Sequence, residues 1–156
     1  MQVAKLLEFW QVRHGEHPGY EKILIMNPFQ LYFIDVLRTR YADFTGRARR
    51  SEYWYFVLFS GLIQLPFSVL SAVNGELPLV LDILDWGITL ALIVPSWAIG
   101  ARRMHDVGRS GWWQLITLVP IVGWILWIVW TASDGQEEDN NWGRNPKHWN
   151  SSGALA

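Results

Sequence analysis

The chain has 156 residues, no cysteine, 11 Trp and a formal net charge of -1. This length fits one domain with short tails rather than two globular cores. The missing cysteines exclude disulfides, iron–sulfur clusters and thiol chemistry.

The small net charge hides a segregation. Arg38, Arg40, Arg47, Arg49 and Arg50 precede the first long apolar run, and Arg102, Arg103 and Arg109 precede the last. The stretch from Glu76 to Asp85 carries only acids, as does the stretch from Asp134 to Asp139.

Residues 1–25 are mixed and polar, with no long apolar core and no small-residue cleavage site, so they do not read as a signal peptide. Met26 is a candidate alternative start. After it, Phe29, Tyr32, Phe33, Val36 and Leu37 recur at helical spacing, followed by Arg38 and Arg40. That pattern predicts a short amphipathic helix lying on a membrane surface.

Three apolar runs follow, expected at about 53–73, 79–100 and 111–132. The last holds twenty-two residues without a charge, which as a helix reach about 33 Å against a hydrocarbon core of about 30 Å. Each run contains a proline (Pro66, Pro95, Pro120), tolerated in a membrane helix where neighbours satisfy the freed carbonyl. The turn at NGELP (Asn74 to Pro78) and the link ARRMHDVGRS make antiparallel neighbours. The expected fold is all-α and membrane-embedded: a compact bundle of three transmembrane helices behind an interfacial helix, with a polar acidic tail over 134–156.

Two spans separate the arginine clusters, so both fall on one face, cytoplasmic by the positive-inside rule. The amino terminus is then inside and the carboxyl tail periplasmic. Pro120 near the middle of the third run leaves one alternative, a re-entrant hairpin that returns the tail to the cytoplasm.

GRARRSEYW, RRMHDVGRSGWW, the P-x-x-G-W of Pro120 to Trp124 and the N-x-W-G-x-N-P of Asn140 to Pro146 occur in one order. Together they resemble domain-of-unknown-function family eight hundred five, the YhaH-like small bacterial inner-membrane proteins, over roughly Asn27 to Pro146. The tail departs from the family pattern: Arg144 stands where a Pro is common, and an acidic QEED insert precedes it. The resemblance implies a multi-span inner-membrane protein with no established activity.

Lys is absent between Ile23 and Pro146, whereas the two basic stretches hold eight Arg. A guanidinium presents a planar fork that matches phosphate or carboxylate oxygens two at a time. Arg47, Arg49, Arg50, Arg102, Arg103 and Arg109 are therefore candidates for anionic headgroups, at about 1 kcal/mol per basic residue near the surface. The competing reading gives these arginines a topological role alone. Glu52, His105 and Asp106 lie among them; one His is too few for a metal centre, and structural pairing with the arginines is the favoured role.

Asp82 and Asp85 fall within two turns of Pro78, placing them near the outer surface, and Gln64 is deeper. Trp124, Trp127 and Trp130 form a stripe, with Trp127 and Trp130 assigned to an outer aromatic belt. No phosphate loop, nucleophile elbow or zinc-helix motif occurs, and no cofactor, metal or nucleic acid is called for. The expected function is non-enzymatic: a lipid-associated or accessory binding protein, with anionic lipid and a membrane-protein partner or second copy as partners. The alternative is a small oligomeric channel or transporter subunit using Asp82, Asp85 and Gln64.

Overall fold

The computed structural model describes residues 27–146, all of whose regular elements are helical. The polar extension 1–25, the candidate start at Met26 and the last ten tail residues lie outside them. A π-helical turn (Gln30–Ile34) leads into α1 (Asp35–Thr39); α2 (Arg50–Asn74) and α3 (Leu79–Asp106) follow, then a 3-10 helix (Gly111–Leu118) and α4 (Val122–Ala132).

At 1.5 Å per residue, α2 and α3 run about 37 and 42 Å, long enough to cross a bilayer. They form an antiparallel stem around the turn at Gly75. Their arginine ends are packed: Phe33, Val36, Tyr53, Phe56, Leu92 and Ile99 form the core, flanked no further out than Ile63 and Ile88. Beyond that level the apolar residues face outward; Leu65, Val69, Val80 and Ile83 are each more than half exposed. Contiguous apolar faces of this size suit an apolar medium rather than water.

The segment before α1 does not lie flat across the stem. Phe29 packs on Phe59 at 5.0 Å, Tyr32 on Tyr55 at 5.2 Å and Phe33 on Phe56 at 5.4 Å. Successive residues thus climb α2 toward its arginine end, and Phe33 and Val36 are buried against protein.

The continuous third helix expected over 111–132 does not form. Residues 111–118 descend as a 3-10 helix, started by the Ser110 hydroxyl, which accepts from the Trp112 amide. The chain reverses at Val119–Ile121, and α4 returns. Pro120 supplies no amide for a continuing helix, and Ile121 takes φ 66°, which turns the chain back. Gly123 lets the limbs close, since a Cβ there would strike the Ile116 carbonyl. Trp124 Nε1 donates to the Thr117 carbonyl at 3.0 Å near the tip, and Trp113 meets Trp130 edge-on at 5.5 Å at the open end. Eight 3-10 residues at about 2.0 Å and eleven α residues at about 1.5 Å both cover roughly 16 Å, about half of a bilayer core. Residue 133 therefore emerges at the end where residue 111 began, and the tail returns to the arginine end instead of the opposite one. The reversal also moves the tryptophans: Trp130 sits at the arginine end, Trp127 packs on the core, and Trp124 lies by the tip.

Candidate functional site at the arginine end

Three pieces of chain meet at this end: the loop entering α2, the last turn of α3, and the tail from Ser133 to Pro146. Their junction is Asp106. One carboxylate oxygen accepts from Arg47 Nε at 2.9 Å, and the other pairs with Arg103 one turn earlier on α3. All three side chains are almost wholly buried.

The remaining guanidinium donors of these arginines go largely to backbone carbonyls. Arg47 Nη1 donates to Glu138 O at 2.7 Å, and its Nη2 to Gln136 O. Arg103 Nε donates to Thr131 O at 3.1 Å, with further bonds to Ala48 O and Ser133 O. Five donors in a rigid fork suit such a hub, which an ammonium could not serve. Gln136 N closes the ring by donating to the Asp106 carbonyl at 2.8 Å. The tail approaches so closely at Gly135 that a Cβ there would meet the Asp106 carboxylate.

Tail residues complete the junction. Arg49 donates to Pro146 O, and Asn140 Nδ2 donates to His105 O at 2.9 Å. Trp142 stacks on the His105 ring at 4.9 Å, nearly parallel. His105 Nδ1 lies 3.1 Å from Gly46 O; because a carbonyl only accepts, that nitrogen carries the proton. Asn145 is buried and gathers the tail on itself, bonding Glu137 O at 2.7 Å and Asp139 Oδ1 at 2.9 Å.

Of the six candidate anion-binding arginines, Arg47 and Arg103 are thus committed inside the protein. Arg102 is buried too: its Nη1 donates to Glu52 Oε1 at 2.7 Å, while its Nε and Nη2 have no hydrogen-bond partner among the described residues. Arg40 reaches the same Glu52 oxygen at 3.8 Å. Burial pushes the nearby Asp43 carboxyl up, but hydrogen bonds from Thr45 and the charges of Arg102 and Arg40 hold it below the usual carboxylate range.

That leaves Arg49, Arg50 and Arg109 at the surface. Arg50 pairs with Asp134 at 2.8 Å, an ion pair about half exposed on both sides and of small energetic weight. Arg109 lies over the Trp130 ring at 4.1 Å and the Trp113 ring at 5.7 Å, a cation–aromatic stack beside the highly exposed Trp112. A cleft of about 240 Å³ opens between Arg49, Arg50 and Ser51 on one side and Gly135, Asn145 and Pro146 on the other.

Among the described residues, no group of three His, Asp or Glu is placed to hold a metal ion. The stem's far end keeps Asp82 in the first turn of α3, where the positive end of the helix dipole favours a carboxylate. Asp85 follows one turn on, far from the arginines.

Sequence reasoning missed Gln136, Asn140, Trp142 and Asn145 as parts of this site. The usable signal was the chemistry of N-x-W-G-x-N-P: Asn side chains bond backbone locally and from a distance, and Trp offers a flat face.

Residues 41–144 match the family described as "Protein of unknown function (DUF805)", and the chain belongs to that family. It is 37% identical over 117 residues to inner membrane protein YhaI of Escherichia coli K12, covering 74% of this chain and 95% of that one. It is 35% identical over 122 residues to inner membrane protein YhaH of the same organism, covering 74% and 96%. It is 33% identical over 87 residues to the E. coli K12 protein YiiR, called uncharacterized, covering 54% and 53%. No solved structure matches the chain.

Proposed function

We propose that this chain is a non-enzymatic, multi-pass protein of the bacterial inner membrane, with a cytoplasmic arginine end that associates with anionic lipid headgroups. The names of YhaI and YhaH support the compartment, and the positive-inside rule supports the orientation. On this reading α2 and α3 cross the membrane, the 3-10/α4 hairpin re-enters from the cytoplasmic side, and both termini are cytoplasmic.

The observation that carries lipid association is the Arg109–Trp130 stack beside Trp112. Indole rings favour the headgroup boundary, and a guanidinium held over a ring face keeps N–H donors for phosphate oxygens. Arg50, about half exposed, adds a second guanidinium at this end. The buried arginines hold the tail that frames this face.

The test is the lipid retained on purification from native membranes, measured by mass spectrometry. Wild type should retain anionic over zwitterionic phospholipid. The Arg50→Lys/Arg109→Lys variant should retain several-fold less anionic lipid at unchanged membrane yield. Equal anionic lipid on both proteins would defeat the proposal and leave these residues a topological role only.

A further inference from the structure

We propose that the tip of the re-entrant hairpin, Leu118–Ile121, docks on the middle of the α2–α3 stem of a second copy of this chain, at Gln64 and Thr89. This rests on α2 and α3 being membrane spans, and is independent of whether the arginines meet headgroups.

The tip is incomplete as it stands. It lies about 16 Å below the arginine end, near the middle of the hydrocarbon core. Leu118 and Ile121 are 76% and 67% exposed. The turn bonds are Val119 N to Ile116 O, Val122 N to Pro120 O and Gly123 N to Val119 O. That set leaves the Ile121 amide and the Leu118 carbonyl without a partner among the described residues. Non-helical backbone at this depth is tolerated only where protein covers it or water fills a cavity beside it. Ile121 adds strain, because a β-branched residue at φ 66° persists only where its surroundings over-determine it.

The stem presents what the tip lacks. The core ends at Ile63 and Ile88, so Gln64 and Thr89 stand at its edge, and no third element packs on α2 and α3 further out. Gln64 stands fourteen residues below Arg50, and Thr89 fourteen residues from Arg103, each about 21 Å from the arginine end. Both are half-buried, and neither side chain bonds another described residue. Helical side chains lean toward their helix's amino terminus, which brings the Gln64 amide back toward the depth of the tip. That amide both donates and accepts, matching a free carbonyl and a free amide. Deficit and complement occur on the same chain at compatible depth, which favours self-association over a foreign partner.

The absence of cysteine allows a background-free test. Ile121→Cys and Gln64→Cys are placed on separately tagged copies, co-expressed, and treated in native membranes with a short bis-maleimide. The expected product is a mixed dimer carrying both tags, while Leu84→Cys, on the outward apolar face of α3, gives none with Ile121→Cys. Wild-type copies with two tags should co-purify, and Gln64→Leu should reduce co-purification at least fivefold. Carbonate extraction of the same membranes reports embedding separately, so absence of the mixed dimer in carbonate-resistant protein counts against the tip contact and not against the membrane reading. The proposal is overturned by that absence, by an Ile121→Cys adduct with a different protein, or by full labelling of Ile121→Cys with a hydrophilic maleimide, which would put a water-filled cavity beside the tip.

Discussion

Arg47 and Asp106 are 59 residues apart in the chain and meet at 2.9 Å, with both side chains nearly excluded from solvent. Their contact joins the entry of α2 to the exit of α3, and the other Asp106 oxygen and the Arg47 fork extend that joint to the hairpin and tail. The arginine end is therefore one hydrogen-bonded unit built from three distant stretches of sequence.

Removing the Asp106 carboxylate tests that unit. Asp106→Asn leaves two buried guanidiniums without a counter-charge, a loss that costs about 3–5 kcal/mol when a buried pair is broken from one side. The variant in detergent should unfold at markedly lower temperature, and protease should cut between Ser133 and Pro146 well before it attacks the stem. A tail as resistant as that of wild type would show that Asp106 does not hold it.

Neighbouring arginines should respond differently to one conservative change. Arg103→Lys loses the fork that reaches Ala48, Thr131 and Ser133 as well as Asp106, which at about 1 kcal/mol per bond amounts to roughly 3 kcal/mol. Arg102→Lys keeps a charge for Glu52 and removes two buried donors that bond nothing among the described residues, so its cost should stay within about 1 kcal/mol. Thermal unfolding of the two variants side by side decides the matter; equal losses would mean the forks are not what distinguishes these positions.

The stem and its ends were readable in the sequence because they rest on local rules. Long apolar runs, arginines at their borders and the turn at NGELP gave α2 and the start of α3 within a few residues of their observed limits. At its other end α3 runs on through the first six residues of the expected link, to Asp106. The hairpin was harder. Twenty-two uncharged residues satisfy the length of a crossing, and hydropathy does not register that Pro120 removes an amide, that Ile121 turns the chain, or that Gly123 lets two backbones touch. Once that run folds back, the tail changes ends, and Arg47 and Arg103 gain partners that no pattern near them announces. Spacing brought Glu52 and Asp106 among the arginines, but the carbonyls that fill the forks belong mostly to residues 131–146, with Ala48 beside them, and carry no sequence signature as acceptors.

Side of the membrane is a prediction in its own right. A fluorescent protein fused after Ala156 should fold and fluoresce, and alkaline phosphatase at the same point should be inactive, matching fusions inserted at Val107. The tail up to Pro146 bonds to Arg47, Arg49 and Arg103, which is why the two fusions are expected to report one compartment. Phosphatase activity from the terminal fusion alone would mean that the hairpin crosses the membrane in the cell.

The closure of the hairpin rests on one missing side chain. A Cβ at position 123 would run into the Ile116 carbonyl, which is backbone and cannot rotate away. Gly123→Ala should therefore force the 3-10 limb and α4 apart, at the 1–3 kcal/mol typical of over-packing. The Trp124–Thr117 and Trp113–Trp130 contacts should loosen with it, shifting tryptophan fluorescence. Gly61 on α2 is the control, since a Cβ there meets nothing within 4 Å. Gly61→Ala should be neutral or slightly stabilising, as expected when a helical glycine gains a methyl without a clash. If both alanines leave unfolding temperature and fluorescence unchanged, the two limbs are not packed backbone to backbone.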